Sequence, residues 1–240
     1  MASSRQMTPS TRPWPTGQPS VTAILIALLA AAGSAEWFFT LLDRGETVQD
    51  GAVMQWLGLS ASSIAEGQYW QFFSFMFLHL APFPLHLVAN LLGLYFAGRE
   101  VEPIIGSKHF LGIFFLGTLF GGLVHCLAGA LGWVPADLPL VGISAGVVAV
   151  LVAFATLLPE LDVKVRLFFI FPIEMRARHL GVAVTVLAAA LWAGQIGMAV
   201  GPDAMLGGAF LGWIYVKQLG YGSPFAVQRF LFNRRQREAR

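Results

Sequence analysis

Charged residues are scarce in this chain. Asp, Glu, Lys and Arg together make up 12% of the 240 residues, whereas a soluble domain carries about 25%. Cysteine occurs once, as Cys126, which excludes a disulfide within the chain. The sequence also lacks a His/Cys ligand cluster, a glycine-rich phosphate loop and a nucleic-acid-binding pattern of basic residues. We therefore expect no metal, no cofactor and no nucleic acid partner.

Hydrophobic residues are correspondingly abundant. They make up 56% of the chain, with a mean hydropathy of +0.68. They gather in runs close to the 20 or so residues that a helix needs to cross a bilayer. This pattern predicts an all-α membrane protein with six spans, at 21–42, 84–98, 109–131, 142–158, 179–200 and 204–219. Residues 20–220 would form the membrane domain, between a disordered cytoplasmic tail at 1–19 and a basic cytoplasmic tail at 221–240.

The two longest connections between these runs are amphipathic. Between the first two spans, GAVMQWLGL and QYWQFFSFMFLHL have the pattern of helices that lie in the membrane interface. Between the fourth and fifth spans, residues 158–178 predict an amphipathic bend that Pro172 interrupts. We therefore expect a long interfacial first loop and a bent connection before the fifth span.

The Lys and Arg residues indicate the orientation. With six spans, Arg44 is alone on one side, and the other 14 of the 15 Lys and Arg residues share the side that holds both termini. Because cytoplasmic loops carry an excess of Lys and Arg, we expect a multi-pass protein of the plasma or inner membrane with both termini in the cytoplasm. The basic tail would also contact anionic lipids.

Several polar side chains share one depth near the outer surface. Ser144 stands in GISAG between two glycines, where it either fills a tight contact or acts as a nucleophile. His86 and Asn90 are four residues apart and so share a helix face, as a structural hydrogen-bonding pair or as part of a site. The fourth and sixth spans should pack closely through glycines spaced by four residues, namely Gly142 with Gly146 and Gly208 with Gly212.

Four motifs carry a resemblance to a known family. They are F-M-F-L-H followed by H-x-x-x-N (75–90), V-E-P-I-I-G-S (101–107), G-x-S (142–144) and L-G-G-A-x-L-G-W-x-Y (206–215). In this order and spacing, over residues 67–220, the chain resembles the rhomboid-family intramembrane serine proteases. The resemblance implies a core of six transmembrane helices with a first loop that lies partly in the outer leaflet. It also implies transmembrane-helix substrates or clients, and membrane lipids, as partners.

The resemblance also assigns roles to individual residues. Ser144 takes the position of the family's nucleophile, and His86 and Asn90, together with Gly142, take positions around the oxyanion. In the family a histidine on the sixth helix is the base, and Met205 stands in its place here. A thioether is a weak acceptor and cannot serve as a general base near neutral pH. The predicted nucleophile therefore lacks its usual partner.

The first loop also departs from the family pattern. Trp70-Gln71 stands where the family commonly has Trp-Arg. The prolines of LAPFP lengthen the connection between His79 and His86. We expect His79 to order this loop and the entrance to the site to be reshaped.

Three further polar residues lie in or beside the predicted spans, at positions 36, 102 and 125. We expect His125 to pack against Cys126 and the first loop, and Glu102 to make a hydrogen bond or a helix-end contact. Glu36 lies in the first predicted span. It either reaches water near the outer surface or is a buried functional carboxylate.

Two functions remain open at this point. The first is a rhomboid pseudoprotease, proteolytically impaired or inactive, that acts by binding transmembrane segments. The second is an active serine-type endopeptidase, a hydrolase that uses Ser144 with a non-standard base, either His86 or His125. A transporter would instead place paired charges or broken helices near the membrane midplane. In both functions Ser144 and Met205 should face each other, with His86 and Asn90 bordering the same pocket.

Overall fold

The computed structural model describes residues 20–42, 52–79, 84–167, 171–196 and 201–221. Nearly all of the two predicted tails, as well as Arg44 and most of LAPFP, lies outside these ranges. The elements in chain order are α1 (Val21–Leu42), α2 (Ala52–Leu57), α3 (Ala61–Ala65), α4 (Gln71–Ser74), a 3₁₀ turn (Phe75–Phe77), α5 (Pro84–Ile105), α6 (Ser107–Ala130), α7 (Ser144–Leu157), β1 (Asp162–Leu167), β2 (Phe171–Arg176), α8 (Ala177–Ala193) and α9 (Pro202–Gln218). The described part of the chain is therefore mostly helical.

The long helices among these fall on the predicted hydrophobic segments. They are α1, α5, α6, α7, α8 and α9, and they contain between 14 and 24 residues. Among the described helices, only α6 has both the length and the hydropathy that a helix needs to cross a bilayer. The existence of the long helices is confirmed, and the number of spans stays a prediction.

The segment between α7 and α8 folds as a β-hairpin, so the prediction of a bend in an all-α chain is wrong here. β1 and β2 pair antiparallel, with Asp162 opposite Arg176 and Lys164 opposite Glu174. The cause is D-V-K-V-R-L, in which polar and apolar residues alternate with the period of a strand. Lys164 Nζ lies 2.6 Å from Glu174 Oε1, and this hydrogen bond raises the pKa of Lys164. Pro172 fits because both strands of a two-stranded hairpin are edge strands.

α7 is the central helix of the bundle. It packs against α5, α6, α8 and α9, and almost every side chain along it is buried. Its sequence, SAGVVAVLVAFATL, is apolar on all sides, as expected of a helix surrounded by other helices. Ser144 is the first residue of this helix, so the candidate nucleophile stands at one end of the most enclosed element.

Glycines on α9 bring its backbone against that of α7. A Cβ atom added at Gly208 would overlap the backbone of Ala145, and one added at Gly212 would overlap that of Ala149. We call these four residues the glycine seam. The predicted close packing of the two helices is confirmed for the glycines of α9. It is wrong for Gly142, which faces Leu78 and His86, and for Gly146, which faces α6. Ala145 and Ala149 are the residues of α7 that meet α9.

Glu102, near the end of α5, joins the first turns of α1 and α6. Its carboxylate accepts hydrogen bonds from the backbone N–H groups of Val21 and Thr22, each at 3.0 Å. It also accepts from the hydroxyl groups of Thr22 and Ser107, each at 2.7 Å. The first N–H groups of a helix have no partner within the helix, and a carboxylate there interacts favourably with the helix dipole. The structural role expected for Glu102 is confirmed.

Candidate active site

Ser144 is held in a buried position by the turn that precedes α7. Gly142 in this turn has a φ of +94°, a conformation that favours glycine. Its N–H donates to the carbonyl oxygen of Phe75 over 2.9 Å. A Cβ atom at Gly142 would lie 3.6 Å from Leu78 O and 3.8 Å from His86 Nε2. The first loop, α5 and the start of α7 therefore converge beside Ser144, whose side chain is 4% exposed.

Three side chains form a closed hydrogen-bonded triangle at this point. Ser144 Oγ lies 3.0 Å from His86 Nε2. The amide Nδ2 of Asn90 lies 3.1 Å from Ser144 Oγ and 3.2 Å from His86 Nε2. His86 and Asn90 reach the same place because they are one turn apart on α5. The structure thus brings these three residues and Gly142 together, and their chemical roles remain predictions.

Met205 lies on α9 and packs against the apolar cluster of Val148, Val152 and Ala209. Ser144, Val148 and Val152 are spaced by four residues and form one stripe along α7. Met205 therefore lies against the side of α7 on which Ser144 stands. A thioether there adds apolar contact but no base. Direct contact between Met205 and Ser144 stays a prediction.

His125 is engaged elsewhere. Its side chain is 1% exposed, and its Nδ1 lies 2.7 Å from Oδ2 of Asp203, which is 2% exposed. Its Nε2 lies 3.0 Å from the carbonyl oxygen of Leu138. Asp203 and Leu138 O lie within hydrogen-bonding distance of the two ring nitrogens, so both nitrogens of His125 already have partners other than Ser144. Asp203 and the loop before α7 thus bond both nitrogens, and the expected packing against Cys126 and the first loop stays a prediction.

Asp203 is a buried residue whose pairing with His125 was not predicted from the sequence. It stands in the first turn of α9, directly after Pro202, where an acidic residue reads as an ordinary helix start. Its position next to a hydrophobic span could have indicated the pair, since a carboxylate in such a place needs a hydrogen-bonding or charged partner. His125, on the neighbouring α6, is that partner.

Gln71 organises the first loop in place of the arginine that is common in the family. Its side chain is fully buried. The amide nitrogen donates to Gln55 O and Gln68 Oε1, each at 2.9 Å, and the amide oxygen accepts from Ser60 N over 3.3 Å. A neutral amide therefore joins three segments of the loop here.

Glu36 and His79 link α1 to the same loop. Glu36 Oε2 accepts the backbone N–H of His79 over 2.6 Å and lies 3.7 Å from its Nδ1. The Glu36 side chain is 10% exposed, which favours a largely enclosed carboxylate over one that reaches water. His79 is buried, and neither of its ring nitrogens makes a hydrogen bond to a described residue.

Comparison with known proteins agrees with this arrangement. Residues 66–221, well over half of the chain, match the Rhomboid domain. No curated protein matches the chain. The matched segment contains α5 to α9, and with them His86, Asn90, Gly142, Ser144 and Met205. Rhomboid-family members are integral membrane proteins that act on transmembrane substrates, and this chain belongs to the rhomboid family.

Proposed function

We propose that this rhomboid-family protein binds transmembrane segments through a site whose proteolytic activity is impaired or absent. The observation that carries the proposal is Met205, an apolar side chain at the position where the family has its base. A serine hydroxyl is a poor nucleophile until a base takes its proton. In a soluble serine protease, loss of the histidine lowers turnover by about 10⁶. A comparable loss here would leave binding as the main function.

We further propose that the six long helices all cross the membrane and that both termini are cytoplasmic. The distribution of Lys and Arg supports this arrangement, since 14 of 15 then lie on one side. Reporter domains placed before Met1 and after Arg240 should both report the cytoplasm. If the two reporters were on opposite sides of the membrane, the number of spans would be odd. The six-span arrangement, which places Ser144 and Met205 at the same depth, would then be wrong.

A client segment would reach the site between α5 and α8. Both helices pack against α7, yet in the described part of the chain they share at most a marginal contact with each other. Each presents exposed apolar side chains, such as Leu85 next to His86 on α5 and Leu187 on α8. A transmembrane segment entering there would replace lipid against α7 and reach Ser144 from the side.

Site-specific photo-crosslinking tests the binding proposal. A photoreactive residue in place of Leu85 or Leu187 should crosslink a reporter transmembrane segment in the membrane. The matched control is Leu116, an exposed residue of α6, which should crosslink only at background level. Equal crosslinking from all three positions, or none from the first two, would show that no client binds between α5 and α8.

A second candidate is an endopeptidase that uses Ser144 with a non-standard base. The distance of 3.0 Å between Ser144 Oγ and His86 Nε2 favours it. The two candidates differ in one measurable property, which is Ser144-dependent cleavage of a bound segment.

A further inference from the structure

We propose that His86 is the general base that remains for Ser144, and that this pair hydrolyses activated esters in preference to peptide bonds. The inference rests on the second candidate function and names the base and the substrate class. The distance of 3.0 Å between Ser144 Oγ and His86 Nε2 lies within the range of about 2.6–3.2 Å over which a base can take a proton directly.

The amide of Asn90 places the His86 ring in the state that a base requires. Asn90 Nδ2 lies 3.2 Å from His86 Nε2 and 3.1 Å from Ser144 Oγ. An amide nitrogen donates and cannot accept. His86 Nε2 therefore accepts, and its proton is on Nδ1. The unprotonated Nε2 can then take the Ser144 proton, while Asn90 supplies an N–H directed at the reacting oxygen.

The other candidate bases are excluded by their contacts. His125 has both nitrogens directed at acceptors, Asp203 and Leu138 O. Asp203 is 2% exposed, and its Oδ2 lies 2.7 Å from His125 Nδ1. His79, from the first loop, lies with its Nδ1 3.7 Å from Glu36 Oε2 of α1. Of the histidines and carboxylates that the structure describes, His86 is the one with a hydrogen bond to the Ser144 hydroxyl.

The reaction balances with water as the only co-reactant. Ser144 Oγ bonds to the ester carbonyl carbon as its proton passes to His86 Nε2, and the carbonyl electron pair moves to oxygen, near the Asn90 N–H. The bond to the alkoxy oxygen then breaks, and that oxygen takes the proton from His86. Water attacks the acyl group on Ser144, giving its proton to His86. The acid leaves as the proton returns to Ser144 Oγ.

The expected preference for esters follows from what is missing around His86. In the described part of the chain, no carboxylate bonds to its Nδ1, whereas a serine triad has one there. Substituting that carboxylate in a soluble serine protease lowers turnover by about 10⁴. An amine is a poorer leaving group than an activated alkoxide. A site with reduced catalytic power should therefore hydrolyse activated esters faster than peptide bonds.

The test uses the full-length protein in detergent micelles, labelled with a fluorophosphonate and assayed on p-nitrophenyl acyl esters. Labelling and hydrolysis should be abolished in Ser144→Ala. His86→Asn should slow both by about 100-fold or more, the low end of what general bases contribute. His109→Asn changes a histidine that bonds Tyr215 on α9 instead and should match the wild type. The rate should fall tenfold per pH unit once His86 is protonated, and His86→Asn should lose this dependence.

Two outcomes would overturn the proposal. One is wild-type reactivity no greater than that of Ser144→Ala; the other is an unchanged rate and pH profile in His86→Asn. A folding defect in His86→Asn is distinguished by a second reporter, alkylation of Ser144→Cys in a Cys126→Ala background. With His86 present, the thiol should still be alkylated at low pH. Adding His86→Asn should abolish this low-pH alkylation, and an unchanged alkylation rate would again overturn the proposal. Retained crosslinking at Leu85 and Leu187 would show that failure here leaves client binding intact.

Discussion

Substitution of Gly212 by alanine should separate α7 from α9. An added Cβ atom would lie 2.8 Å from both the Cα and the carbonyl carbon of Ala149, and it would overlap the carbonyl oxygen. Nonbonded carbon atoms prefer about 3.5–4.0 Å. The helices would therefore have to separate by roughly 1 Å, because the obstacle is backbone and cannot rotate away.

Two opposing terms set the size of the effect. Alanine favours the helix over glycine by about 0.5–1 kcal/mol, whereas an extra methyl in a well-packed core costs about 1–3 kcal/mol. Gly93→Ala is the matched control, because its Cβ would meet the end of the Val147 side chain at 3.1 Å. We expect Gly212→Ala to lower the free energy of unfolding by about 1–2 kcal/mol and Gly93→Ala to leave it nearly unchanged.

Equilibrium unfolding in mixed micelles measures both variants, and fluorophosphonate labelling reports whether the site moves. If the two variants are equally stable, backbone contact along the glycine seam does not determine how α9 packs. A larger loss in Gly93→Ala than in Gly212→Ala would refute the reasoning in the same way.

Three further substitutions test the surroundings of the site. Met205→His should partly restore cleavage of a reporter transmembrane segment, because a base contributes about 10²–10⁴-fold; the restored activity must vanish when Ser144→Ala is added. Asp203→Ala should lower the free energy of unfolding by about 3–5 kcal/mol, since it leaves buried His125 without its partner. An unfolding midpoint at the same denaturant concentration as in the wild type would contradict this. Gln71→Leu should cost about 1–3 kcal/mol by leaving buried loop groups unpaired, and protease nicking of the first loop should rise with it.

The hydrophobic runs predict the long helices well, because each helix in a bundle must cover its backbone with apolar side chains. The hairpin escapes prediction because a period of two over D-V-K-V-R-L is short and is followed by an unbroken apolar stretch, LFFIF. The end of α5 is also misplaced: the charges at Arg99 and Glu100 read as a helix end, yet the helix continues to Ile105, where Glu102 bonds to its neighbours.

The site is predictable to the extent that it depends on spacing within one helix. His86 and Asn90 share a face by their separation alone, and the motif order brings Ser144 to the same depth. The pairing of His125 with Asp203 depends instead on how α6 and α9 are rotated against each other, at a contact where Gly207 of α9 packs against Gly121 of α6. Nothing in the local sequence around either residue encodes that rotation, so the base assignment had to stay open between His86 and His125.

Retention of Ser144, His86 and Asn90 has a structural explanation that does not require catalysis. Each of the three side chains is a hydrogen-bonding partner of the other two, and a buried polar group left without its partner costs about 1–3 kcal/mol. Met205 packs against apolar side chains, and this packing needs no imidazole. Stability therefore opposes change at the triangle and permits it at position 205. The presence of Ser144 is for this reason no measure of activity. Its rate of reaction with a fluorophosphonate, compared between the wild type and His86→Asn, measures activity directly.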